Sequence, residues 1–158
     1  MKIPTGSAPA HSRAELPRSC ACTTVRRSAR VLARTYDAAL AGSGLNITQF
    51  AVMRAVQRHP EEPLSRVAED LAMDRTSLYR ALAALARHHW VSIDDGPDGR
   101  ARSASITPAG HAALLRAEAP WAGTQLALIE RFGATKWQSL QAELRRLTLC
   151  AQDLSVEG

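Results

Sequence analysis

No stretch of the 158 residues reaches the roughly 18 uninterrupted apolar positions that a membrane-spanning helix needs. Aromatic residues supply only 4% of the chain while alanine and leucine are plentiful, so the core is expected to be helix packed on helix. The G-x-S-x-G, H-E-x-x-H, phosphate-loop and paired C-x-x-C patterns are all missing, and the five histidines are scattered. His88-His89 reads as a polar helix end. An enzyme is therefore not expected, and no cofactor is called for. The first 17 residues, MKIPTGSAPAHSRAELP, hold three prolines and no apolar segment of the kind a signal peptide carries. Residues 1–17 read as a disordered arm and 18–158 as one domain, with the cytoplasm as the expected location.

Hydrophobic residues make up 46% of the chain, enough for one good core. The charge is placed unevenly. Of a net +5, residues 1–47 hold seven basic and two acidic residues, whereas 48–107 hold eight of each and 108–158 five of each. Within the middle segment the acids come early (Glu61, Glu62, Glu69, Asp70) and arginines dominate later (Arg75, Arg80, Arg87, Arg100, Arg102). That sorting predicts one face able to meet phosphates. A mixed, solvated surface is the plain alternative.

Val25, Ala29, Leu32, Tyr36 and Leu40 recur at steps of three and four, predicting a first helix from Cys20 to the glycines at 42–44. Thr48 is the expected N-cap of a second helix with Phe50, Met53, Ala55 and Val56 inside, and Pro60 and Pro63 close it. Ser65 is the expected cap of a third, carrying Val67, Ala68 and Leu71. Asp74 caps a fourth through the amide of Thr76 or Ser77, and Leu78, Leu82 and Leu85 hold it to the core. Arg75, Thr76, Tyr79, Arg80 and Arg87 are left to face elsewhere, so the first turn presents short hydroxyls and an arginine, the reach that groove edges and phosphates require.

Trp90–Ile93 and Ser103–Ile106 then predict a hairpin, with Val91, Ile93 or Ile106 inward. Its tip, Asp94 to Arg102, is too polar to bury, and Arg100 and Arg102 there suit a narrow minor groove, with Asp98 placed to pair with either. Thr107-Pro108 opens a fifth helix to about Phe132, in which Pro120 predicts a kink or break. A sixth covers roughly Thr135 to Asp153. Helices one, five and six are more apolar than so small a domain needs, which predicts a dimer interface. The expected fold is mostly α with a small β-wing: a winged helix-turn-helix over 48–107 and a helical dimerisation region over 20–43 and 108–153.

Four stretches carry a resemblance: Leu45-Asn46-Ile47-Thr48-Gln49-Phe50, the run Val67 to Leu78 across the turn, Asp98-Gly99-Arg100-Ala101-Arg102, and Ile106-Thr107-Pro108-Ala109-Gly110. In this order and spacing they resemble the MarR (multiple antibiotic resistance regulator) family of winged-helix repressors, over roughly Cys20 to Gln152. The resemblance implies a homodimer interlocked through helices one, five and six. It places the fourth helix in the major groove of a pseudopalindrome, with half-sites about 10 bp apart. Double-stranded DNA is the implied partner. Arg75, Thr76, Ser77, Tyr79 and Arg80 are the expected DNA-reading residues, with Arg100 and Arg102 acting at the wing. A non-specific architectural DNA-binding protein is the competing class, and binding at physiological salt separates the two.

The family implies release by a small aromatic or phenolic ligand or by thiol oxidation. Tyr36, Phe50, Met53 and Trp121 are the expected ligand-lining residues, with core packing as their plain alternative. Cys22 falls where the organic-hydroperoxide-sensing branch has its reactive cysteine, and Arg26 and Arg27 follow to favour a thiolate. Cys20, or Cys150 in a helix implied to lie near the partner's first, offers a resolving thiol. Where that branch has further tyrosines, this chain holds Arg26 and Gln49. The other readings are thiols that merely pack, or a soft-metal site of Cys20, Cys22 and His11.

Overall fold

The computed structural model describes residues 20–95 and 102–156. The first helix, α1 (Ala21–Leu40), crosses a division of the chain between Leu32 and Ala33. Residues 20–32 are helical from Ala21 and exposed throughout. The elements after α1 all belong to the unit that starts at Ala33.

Leu40 leads into a single tight turn, Ala41–Ser43, and Gly44 ends it at φ 80°, a left-handed conformation that glycine adopts freely. The buried Ser43 hydroxyl donates to the Leu40 carbonyl at 2.7 Å and accepts from the Leu45 amide at 3.2 Å. Helix α2 (Ile47–Arg58) is capped by Asn46, not by Thr48. Asn46 accepts from the Gln49 amide at 2.8 Å while the Gln49 side chain accepts from the Asn46 amide at 3.0 Å. This reciprocal box satisfies two orphan donors where Thr48 alone would satisfy one. Helix α3 (Leu64–Asp70) follows Pro63 with no side-chain cap, so Ser65, expected to cap it, lies in its first turn.

Helix α4 (Arg75–Arg87) begins at Asp74, as expected. Strands β1 (Val91–Asp95) and β2 (Arg102–Ile106) pair antiparallel, with Val91 opposite Ile106 and Ile93 opposite Ala104. Ala104 is buried, so the small residue rather than its bulkier neighbours fills the inner face of β2. Helix α5 (Pro108–Phe132) opens on Thr107, whose hydroxyl accepts from the Gly110 amide at 3.0 Å. It passes unbroken through Pro120, which removes one amide donor but leaves the remaining ladder intact. Helix α6 (Ala134–Val156) starts one residue before its expected boundary and ends three after it.

The core gathers around α2. Val52, Met53, Ala55 and Val56 are buried against Leu78, Leu82 and Leu85 of α4, Val67 of α3, Val91 and Ala104 of the hairpin, and Ala113 and Ala117 of α5. Truncating a leucine at such a position costs about 2–5 kcal/mol. The leucines that anchor α4 thereby also decide which of its faces is left for a partner.

Candidate nucleic-acid interface

The corner between α3 and α4 is tight. Met73 donates its amide to the Ala68 carbonyl at 2.9 Å, and Ala72 adopts φ 48°, a left-handed conformation unusual for a residue with a Cβ. Asp70, at the end of α3, accepts from Arg58 Nη2 at 2.7 Å and lies 3.4 Å from His59 Nε2. The Arg58 hydrogen bond holds its carboxyl below the usual carboxylate range. These contacts tie the first helix of the motif to the C-terminal end of α2.

At the start of α4, the Asp74 carboxylate accepts from the Ser77 hydroxyl at 2.6 Å and the Ser77 amide at 2.9 Å. Both bonds depress its pKa, the hydroxyl more than the amide. Leu78, Leu82 and Leu85 are buried, which leaves Thr76, Arg80, Ala83 and Arg87 as an exposed row at spacings of four, three and four. Such a row follows one side of a helix. Arg75 is exposed in the first turn. Of the five α4 residues expected to read DNA, Arg75, Thr76 and Arg80 face solvent. Ser77 is half-buried with its hydroxyl on Asp74, and Tyr79 is half-buried and packed against the core. Ala83 and Arg87 complete the row and were not among those five, although their spacing from Thr76 and Arg80 was the signal.

On the wing, Arg102 is exposed and its Nε donates to Asp95 at 2.7 Å, across a register pair of the two strands. Asp95 is thus an acidic partner of Arg102 that the sequence did not name. Asp98 and Arg100 lie outside the described residues.

The expected ligand residues divide. The Phe50 and Trp121 rings lie 5.5 Å apart and tilted, and the Arg54 guanidinium carbon stands 5.8 Å from both ring centres. Arg54 also pairs with Glu118 at 3.0 Å. Tyr36 donates its hydroxyl to Gln125 Oε1, and burial raises its pKa. Met53 is fully buried in the core. Arg54, Glu118 and Gln125 are the residues that sequence reasoning did not name. They follow Phe50 by four, precede Trp121 by three and follow it by four, so each shares a helix face with an expected residue.

All three cysteines, Cys20, Cys22 and Cys150, are exposed thiols. Cys20 immediately precedes α1, and hydrogen bonds from the Thr23 amide, then the Thr23 hydroxyl and the Cys22 amide, lower its pKa. This is the anion-favouring geometry of a helix start. Among the described residues no group of three His, Cys, Asp or Glu is placed to hold a metal ion, and His11 lies outside them. Among the described residues no helix is long and apolar enough to cross a membrane.

A helix-turn-helix whose second helix offers a basic row, followed by a two-stranded wing, defines a winged-helix DNA-binding protein. Residues 50–95, from α2 through β1, match the model of the IclR helix-turn-helix domain. No curated protein matches the chain. Among solved structures it is similar to the transcriptional regulator MosR of M. tuberculosis in complex with DNA, at 33% identity and TM-score 0.78, over 85% of this chain and 97% of that one. PcaV of Streptomyces coelicolor, solved with its natural ligand, shares the fold at 18% identity and TM-score 0.70, over 86% of this chain and 99% of that one. So does a MarR family regulator of the same organism, at 23% identity and TM-score 0.70, over 84% and 94%. The chain belongs to the MarR family of transcriptional regulators. It is a DNA-binding regulator and not an enzyme.

Proposed function

We propose that the protein is a homodimeric repressor that recognises a pseudopalindromic operator and releases it when its N-terminal thiols are oxidised. The observation that carries the DNA-reading half is the exposed row Thr76, Arg80, Ala83 and Arg87, held outward by the buried leucines behind it. Arginine at 80 has the reach for a guanine edge, Ala83 lets the helix backbone approach, and Arg87 meets phosphate. Arg75 and Arg102 add sequence-independent contacts. The DNA complex of MosR, a third identical to this chain, supports the same use of the motif.

Dimerisation is supported by Leu140, Leu144, Leu147 and Leu154 of α6, large apolar side chains left exposed along one helix. A second copy would remove them from water, and it would set two recognition helices at the spacing a palindrome requires. Light scattering tests this: wild type runs as a dimer, and Leu144→Glu with Leu147→Glu as a monomer that no longer binds operator.

Oxidation is supported by the exposed Cys20 thiol, whose anion is favoured at the start of α1. A hydroperoxide oxidises such a thiolate to the sulfenic acid and leaves as an alcohol. A second thiol then condenses with it to give a disulfide and water. Residues two apart on a helix do not face each other, so a Cys20–Cys22 disulfide unwinds the first turn of α1. Anisotropy on operator duplex tests it. Binding should be lost on organic hydroperoxide, restored by dithiothreitol, and indifferent to oxidant in Cys20→Ser.

A second release mode is favoured by one cluster. Arg54 beside the Phe50 and Trp121 rings is a ready partner for an aromatic carboxylate, which would displace Glu118. PcaV, of the same fold, was solved with a ligand bound. If oxidant leaves binding intact, loss of operator on adding aromatic acids, abolished by Arg54→Gln, assigns the switch to this cluster.

A further inference from the structure

We infer that the end of α2, strand β2 and the start of α5 form a binding site for a small organic cation. The ligand is an amidine or primary amine on one apolar ring, and Glu61 is its counter-ion. The site is an open cavity of about 290 Å³. That is room for a single-ring molecule, at the small end of the range of ligand pockets. All its lining residues belong to the unit that starts at Ala33. Val56, Pro60 and Ile106 supply the apolar surface, and Val56 is itself part of the buried core. The polar side chains lining it are Gln57 of α2, Glu61 of the following turn, Ser105 of β2 and His111 of α5. Among the described residues none of these four side chains has a hydrogen-bond or ion-pair partner in the chain.

The acids around α3 make the contrast plain. Glu62 pairs with His59 at 3.2 Å and Arg66 at 3.5 Å, Glu69 with Arg66 at 2.9 Å, and Asp70 with Arg58 at 2.7 Å. Glu61, in the same stretch, has no cationic partner among the described residues. The backbone separates it from its neighbour. Glu61 sits at φ 62°, a left-handed conformation unusual for a residue with a Cβ. Glu62 is thereby carried toward His59 and Arg66, while Glu61 lines the cavity.

Charge then selects the ligand. Among the described residues Glu61 is the single acid lining the cavity, and no lysine or arginine lines it. A carboxylate or phosphate would meet like charge there and find no arginine or lysine. A cation gains a counter-ion. The paired N–H groups of an amidine match the two oxygens of a carboxylate, as a guanidinium does. Its remaining N–H groups have the Ser105 hydroxyl and the Gln57 carbonyl as acceptors, and its ring covers Val56, Pro60 and Ile106. A ligand so held touches the wing strand and the first turn of α5 at once.

The probe is benzamidine, titrated into the full-length protein and followed by amide nitrogen–proton correlation spectra. Benzyl alcohol and benzoate serve as its neutral and anionic counterparts. Saturable shifts are expected at Gln57, Glu61, Ser105 and His111, at lower concentration with benzamidine than with benzyl alcohol. Benzoate should leave these four unmoved. Glu61→Gln keeps the shape of the side chain and removes its charge. It should weaken benzamidine about three- to tenfold at low salt, the scale of a partly exposed charged contact. Glu61→Lys should abolish the shifts. Glu69→Gln, at an acid outside the cavity, is the control and should bind as wild type does. Thermal melting confirms that each variant folds. Equal affinity in Glu61→Gln and wild type, equal binding of benzyl alcohol, or no saturable shift would overturn the proposal. So would shifts centred on Phe50 and Trp121, which assign the cation to the aromatic cluster. Neither the thiols nor Arg54 enter this test, so it stands or fails independently of both release modes.

Discussion

The first turn of α5 sits against the backbone of Trp90 so closely that Gly110 has no room for a side chain. A Cβ at this position would lie 2.0 Å from the Trp90 carbonyl oxygen and 3.0 Å from Ile106. The same carbonyl accepts from the Thr107 amide at 3.1 Å, and the Thr107 hydroxyl reaches the His89 carbonyl at 2.6 Å. The start of β1, the end of β2 and the start of α5 are thus locked at one point.

Gly110→Ala should therefore force backbone apart rather than shift a flexible side chain. The expected loss is about 1–3 kcal/mol in chemical denaturation, with weakened operator binding as the hairpin is displaced. Ala109→Gly, at an exposed neighbouring position, is the control. Wild-type stability in Gly110→Ala would refute the contact.

Asp74→Ala should lower the melting temperature near neutral pH, because the Ser77 amide and hydroxyl lose their acceptor. The Asp74 pKa is depressed in the folded state by Ser77. Its ionised form therefore stabilises the fold above the unfolded carboxylate value, and that contribution is lost as pH falls through the folded pKa. The gap between wild type and Asp74→Ala should close in acid, while Asp74→Asn, which keeps one acceptor oxygen but not the charge, should melt between the two at neutral pH.

Arg80 and Arg87 share one exposed face yet should differ in what they report. Arg80→Ala is expected to cost about 1–3 kcal/mol on an operator selected from a randomised duplex pool and to blur its preferred bases. Arg87→Ala should weaken operator and scrambled duplex alike and flatten the salt slope by about 0.9. An anisotropy panel in which Arg80→Ala leaves both affinity and preference untouched removes it from the interface.

Tyr36→Phe removes the hydrogen bond to Gln125 from a buried site, for a loss on the order of 0.5–1.5 kcal/mol. Because burial raises the Tyr36 pKa, the folded chain holds this proton after the unfolded chain has released it. Stability should accordingly fall as pH rises from the ordinary tyrosine value toward that of Tyr36. In an ultraviolet titration of the folded protein, Tyr36→Phe should abolish the phenol that ionises above the ordinary range.

Much of the fold was legible because its signals are local. Leucines at 78, 82 and 85 announce the buried side of α4, and Asp74 announces its start, within a few residues of one another. Thr48 misled because it is an ordinary cap residue. The winning pair, Asn46 and Gln49, competes two residues away and is recognised only as a reciprocal box. Cys22 was the expected reactive thiol on resemblance alone, whereas the hydrogen bonds that lower the Cys20 pKa come from where α1 starts.

The sequence by itself determined the helical periods, the corner between α3 and α4, the hairpin and the concentration of positive charge before residue 48. These depend on spacing and composition, and they survive errors of a residue at any boundary. Tertiary structure alone decided that Tyr79 turns toward the core, that Arg102 takes Asp95, and that Gly110 can be nothing larger. It also joined Arg54 to Glu118 and Tyr36 to Gln125, pairs separated by 64 and 89 residues. Periodicity tells which side of a helix is apolar. Which residue meets it from a distant helix is set by how the two helices pack, and that geometry belongs to the folded chain.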